Sequence, residues 1–266
     1  MRRIAHRITL LCFGFGAAVT CSCQTRIPLK DVSNTGSPVH VSGQVSLQDD
    51  TSQPPQHTYH IDSSIENVGN TSVVLAVIHI VVRGGYARQL NGNKSSDDHF
   101  FRPTDLQRGE VDNIHSDVTF VTAEVDGRRF GPPESDWQFV PEDDGSDQTP
   151  TATAKVIFVQ FADGATWGNV AAGRPLLVYR RDILKELIKY EHVLDDEGVP
   201  AFLHAYADRD TYLWFPLLYV LTVKCETKPD SCLIDGMHSM VLAAKQHQAV
   251  MKDKWTVSDV EFDQPR

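Results

Sequence analysis

Basic residues are in short supply: 25 Lys and Arg stand against 35 Asp and Glu, a formal charge of −10. That balance excludes ordinary nucleic-acid binding, which needs clustered cations to neutralise phosphate. Beyond residue 23 no stretch reaches the 18 or more apolar residues of a membrane span. The common catalytic signatures are missing as well. There is no Gly-x-Ser-x-Gly, no His-Glu-x-x-His and no phosphate loop, and Gly236-Met237-His238-Ser239-Met240 only superficially imitates a nucleophile elbow. Cysteine is scarce: of five, Cys12, Cys21 and Cys23 fall in the first 23 residues. The two that remain have no second pair at zinc-ligand spacing to join. No catalytic residue, cofactor or metal is therefore assigned. Disorder is excluded in turn, because 41% hydrophobic and 23% charged residues suffice for a packed core.

Residues 1–23 have the form of an export signal. Arg2, Arg3 and Arg7 make a basic start, Ile8 to Val19 is an apolar run of about a dozen residues, and Thr20-Cys21-Ser22-Cys23 is small. Cys21 and Cys23 are the candidates for lipidation. Neither has the Leu that a lipoprotein signal places three residues earlier, since Ala18 and Thr20 stand there instead. Removing the segment takes three arginines and no acid, so −10 becomes −13. In an oxidising compartment, Cys225 and Cys232 are expected to form a disulfide around a short loop containing Pro229. Two buried thiols or half a metal site are the alternatives.

Residues 24–37 are polar, carry Pro28 and Gly36, and suit a linker. From residue 38 the period becomes two. Val39, Val41, Val45 and Leu47 share one face, and Tyr59, Ile61, Ser63 and Ile65 form a second alternating run. Ser72–Arg83 is almost wholly Val, Ile, Leu and Ala, which reads as a strand buried on both faces; its length also allows a helix. His79 within it reads as a packing residue. Gly84–Asp98 is expected as a polar loop, Asp117–Val125 and Ala152–Phe161 as further strands, and Asp163-Gly164 as a turn.

The order of these motifs resembles bacterial secreted immunoglobulin-like domains of the cell-adhesion-related type. The resemblance rests on Ile65-Glu66-Asn67-Val68-Gly69-Asn70, an Asn-x-Gly turn between strands, and on the later Leu106-Gln107-Arg108-Gly109-Glu110. It covers roughly residues 38–168 and implies an antiparallel β-sandwich. Its motifs are turn chemistry, so no catalytic residue is carried over.

After residue 170 the period becomes helical. Leu176, Leu177, Ile183, Leu184, Leu187, Ile188 and Leu194 recur at three- and four-residue steps, and Gly198 and Pro200 end the helix. A short helix over Ala201–Ala207 follows. Tyr212–Val223 reads as a buried helix or a buried strand. A last helix covers about 234–252, with Met237, Met240, Val241, Ala244 and Val250 as its buried side. The expected fold is thus α+β: an immunoglobulin-like sandwich over 38–170, a helical extension with a disulfide loop over 171–254, and a polar tail over 255–266.

Three polar constellations carry possible chemistry. His57 and His60 lie three apart, which puts them on opposite faces of a strand. Asp97-Asp98-His99-Phe100-Phe101 reads as a polar loop anchored by two aromatics. Glu142-Asp143-Asp144-Gly145-Ser146-Asp147 is a solvated loop by default, with calcium as the alternative. The functional expectation is an exported, non-enzymatic binding or scaffolding protein of the cell envelope or periplasm. Its partner would be a protein or an envelope polymer. The rival is an exported hydrolase of peptide or glycan, with His99, His192, His204 and His238 as first suspects.

Overall fold

A computed structural model describes residues 25–50, 56–85, 88–121, 137–140, 149–207, 221, 225 and 229–256. The export segment with Cys21 and Cys23, the acidic run 142–147, the apolar run 212–223 apart from Leu221, and the tail beyond Thr256 lie outside these residues.

The described strands are β1 (Thr25–Asp31), β2 (Val39–Asp50), β3 (Gln56–Asn67), β4 (Val73–Arg83), β5 (Gln89–Ser95), β6 (Val111–Val121), β7 (Trp137–Val140), β8 (Thr151–Phe161) and β9 (Thr166–Gly168). Two helices follow, α1 (Val170–Ala207) and α2 (Pro229–Met251). The strands run in the order β6-β3-β2-β1-β8-β4-β5-β7, with β9 paired onto β8. This α+β arrangement overturns the expected two-sheet sandwich: the strands form one mixed sheet curled into a half-barrel. The cause is β1. Thr25–Pro28 pair antiparallel with β2, and Leu29–Asp31 pair in parallel with β8. One strand thus belongs to both halves and makes them continuous. That strand lies in the stretch 24–37 expected as a linker, where only Ile27 and Leu29 are deeply buried.

The concave side holds the main core. Val39, Val41 and Val45 of β2 meet Tyr59, Ile61 and Ile65 of β3, together with Ile78, Ile80 and Val82 of β4 and Ala154 and Val156 of β8. Strand β4 is buried on both faces as its composition implies. Alternation with Ala76 and Ile78 turns Leu75 and Val77 to the other side, and the register shift between Val73 and Leu75 adds Val74. There they meet the helices. His79 pairs across the sheet with Asn93, 2.8 Å away. The stretch expected as a polar loop after Gly84 instead contains β5, which pairs with β4 through Asn91-Gly92.

Helix α1 buries Leu177, Leu184, Leu187 and Leu194, the stripe its spacing predicts. It breaks where Gly198 takes φ 82°, ψ 178°, a conformation that favours glycine. Pro200 then restarts helical geometry where a missing N–H costs nothing. The chain turns back on itself there: Tyr190 donates to the Ala205 carbonyl at 3.3 Å, and its ring meets Phe202 edge-on at 6.0 Å. Helix α2 buries Met237, Val241 and Ala244, while Val250, expected inside, is 63% exposed. Cys225 and Cys232 form the expected disulfide, with 5.4 Å between their Cα atoms. Among the described residues no helix is long and apolar enough to cross a membrane.

Candidate functional site

Alternation along β2, β3 and β6 sends apolar side chains to the core and polar ones to the convex face. On β3 the convex set is Thr58, His60, Asp62 and Ser64; on β6 it is Asn113, His115, Asp117 and Thr119. The antiparallel register sets His60 opposite Asp117 and Asp62 opposite His115. Two His-x-Asp tripeptides therefore meet head to tail, and each histidine faces the other strand's aspartate. His60 Nδ1 lies 2.7 Å from Asp117 Oδ1, and His115 Nδ1 lies 2.6 Å from Asp62 Oδ1. His115 Nε2 is also 3.1 Å from Asp117 Oδ1, while His60 Nε2 donates to Gln48 Oε1 of β2 at 2.8 Å. Flanking rows continue the pattern: Thr58 bonds Thr119 at 3.0 Å and Ser64 donates to Asn113 at 2.8 Å.

His115 sits between two carboxylates. The hydrogen bond to Asp62 and the charge of Asp117 outweigh its slight burial and hold its pKa above the ordinary histidine value. Beside it is a recess of about 520 Å³ lined by Gly43, Gln44, Asp62, Ser63, Ser64, Asn113, Ile114 and His115. Gly43 makes room for it. At φ 143° a Cβ there would stand 2.1 Å from the Asp62 carbonyl oxygen, so only glycine lets β2 pass.

The four histidines suspected for a hydrolase have separate surroundings. His99 is buried in a single 3-10 turn (His99–Phe101), where Nδ1 donates to the Thr104 carbonyl at 2.8 Å and Nε2 is 3.7 Å from Asp112. His238 of α2 pairs with Asp195 of α1 at 2.9 Å. His192 and His204 are exposed on α1. His57 lies opposite Asp49 and bonds it at 2.7 Å, apart from the His60 cluster, as the three-residue spacing requires.

Asp97 to Phe101 is a structural anchor. Phe100 and Phe101 are fully buried, and Phe100 stacks on Trp255 with centroids 5.4 Å apart. Arg180 of α1, with no exposed surface, also lies over the Phe100 ring, 4.8 Å from its centroid. Its Nε and Nη2 donate to the two Asp98 oxygens at 2.8 and 2.7 Å, and Nη1 donates to Gln160 of β8 and to the Trp255 carbonyl. Sequence reasoning missed Arg180, although its position between Leu177 and Leu184 puts it on the buried stripe.

His247 ties α2 to the same region. Its Nδ1 faces the carbonyls of Phe100 and Ala243, and its Nε2 faces Asp105 at 2.6 Å. Burial alone would lower its pKa, but these acceptors on both nitrogens favour the doubly protonated ring and raise it. His99 is raised in the same way, burial being outweighed by Asp112 and Thr104. A raised folded-state pKa stabilises fully below the unfolded value of about 6.5 and loses that contribution as pH rises through the folded value. Urea midpoints are thus expected to fall as pH is raised from about 6 to 8.5, and His247→Ala to flatten that fall. An unchanged slope in the variant would remove His247 from this account.

No family model, curated protein or solved structure matches the chain.

Proposed function

We propose that the chain is an exported binding protein of the cell envelope and that the convex face of β2, β3 and β6 is its contact surface. The observation that carries this reading is the ordered polar array on that face. Its side chains are solvent-facing yet pre-set by bonds between strands, which lowers the entropy cost of binding. The basic, apolar and small segments of residues 1–23 support export, and so does the Cys225–Cys232 disulfide, a bond favoured in oxidising compartments. An envelope protein or polymer is the expected partner class.

A photoreactive side chain placed at Asn113, on the convex face, tests this in the native host. It is expected to give one discrete adduct in the envelope fraction, while the same probe at Lys245, exposed on α2, gives none. Equal labelling from both positions, or from neither, would sink the reading.

A further inference from the structure

Asp117 Oδ1 has two imidazole nitrogens directed at it, His60 Nδ1 at 2.7 Å and His115 Nε2 at 3.1 Å. A neutral imidazole has one N–H and one lone pair. The N–H of each ring has a claimant on its far side: Gln48 Oε1 for His60 Nε2, and Asp62 Oδ1 for His115 Nδ1. In the tautomer that satisfies both far-side acceptors, the near nitrogen of each neutral ring turns its lone pair towards Asp117 Oδ1. A cation fits between these nitrogens and the carboxylate. A single divalent cation there would bind both rings in their neutral form.

We propose that His60, His115 and Asp117 form a binding site for a divalent transition-metal ion of the zinc type. Their ligand atoms all lie within 4.8 Å of one another. Two imidazole nitrogens and one carboxylate oxygen suit such an ion, and the exposed side of the cluster leaves further positions for water or for a group on the partner. The far-side contacts match the usual outer shell of metal sites, where a carboxylate or carbonyl oxygen fixes the tautomer and aims the free nitrogen. Asp62 does this for His115, and Gln48 for His60. All five residues stand on three hydrogen-bonded strands, so little ordering remains to be done on binding.

This inference rests on the convex face being the contact surface, and it supplies an ion for that face. Co²⁺ is the direct probe, since its ligand-field absorption reports nitrogen and oxygen coordination, with Zn²⁺ as competitor. The chain, purified without a histidine tag, is expected to take up one Co²⁺ at this cluster and to yield it to Zn²⁺. His115→Ala and Asp117→Ala should abolish that absorption, and Asp62→Asn should weaken binding by about 10–100-fold, the usual loss for an outer-shell partner. His238→Ala, at the separate pair with Asp195, should leave it unchanged. Circular dichroism of each variant confirms that the fold is retained. No saturable uptake, or equal uptake by wild type and His115→Ala, would overturn the proposal. The two readings fail separately: loss of Co²⁺ uptake with the Asn113 adduct intact removes only the metal, and uptake without an adduct removes only the partner.

Discussion

Arg180→Leu is expected to destabilise the protein by about 3–5 kcal/mol, read as a lower denaturant midpoint. The guanidinium holds both oxygens of Asp98, the Gln160 side chain and the Trp255 carbonyl, and it covers the Phe100 ring. Removing it leaves a partly buried carboxylate without its counter-charge and two other acceptors without donors. That loss, rather than any net gain from the pair, sets the size of the effect. Two consequences separate this account from simple loss of packing. Arg180→Lys should recover little, because an ammonium cannot reproduce the two-pronged bond to Asp98. Arg180→Leu combined with Asp98→Ala should be less destabilised than the sum of the single variants, since each single change strands the other group. Strict additivity would show that the two residues do not act together. Trp255 fluorescence should shift in the same variants, because its stack on Phe100 borders the lost guanidinium.

Asn67→Ala is the second large effect, expected at about 2–4 kcal/mol from buried groups left without partners. Asn67 is fully buried at the end of β3. Its Nδ2 donates to the carbonyls of Thr71 and Leu106, its Oδ1 accepts from Gly69 N, and its backbone carbonyl accepts from Gly109 N. One side chain thereby locks the Asn-x-Gly turn onto the later Leu106–Glu110 turn. Asn67→Asp should be worse than Asn67→Ala at neutral pH, since it aims a carboxylate at two carbonyls, and should recover part of the loss in acid. A carboxylate variant as stable as wild type would contradict the bonding described.

The elements that proved legible are those whose signal is local. Strand β4 declares itself by an unbroken β-branched run, β2 and β3 by alternation, and α1 by a stripe that ends at Gly198. What escaped depended on partners distant in the chain. Strand β1 has only Ile27 and Leu29 to mark it, and Pro28 between them suggests a linker; its pairing with Ala152–Ala154 leaves no local trace. The sandwich expectation rests on local turns and on the Asn-x-Gly resemblance, and neither carries information about β1 joining β2 to β8. The His-x-Asp repeat at His60–Asp62 and His115–Asp117 is visible in the sequence, but only the register of β3 against β6 makes it a cluster. Arg180 shows the opposite case. The helical stripe running through Leu177, Leu184 and Leu187 already places a charge on the buried side, and a buried charge calls for a partner.

The divided allegiance of β1 also constrains the order of events as the chain is made. Strands β2 and β3 can pair as soon as both exist, and β6 can join them later. The second half of β1 must wait for β8: Leu29 pairs with Ala152, 123 residues further on. Until β8 arrives, Leu29–Asp31 is an unpaired strand edge, open to strand exchange with another copy. The residues that close the sheet are thus the first described ones to be synthesised and among the last to find their place.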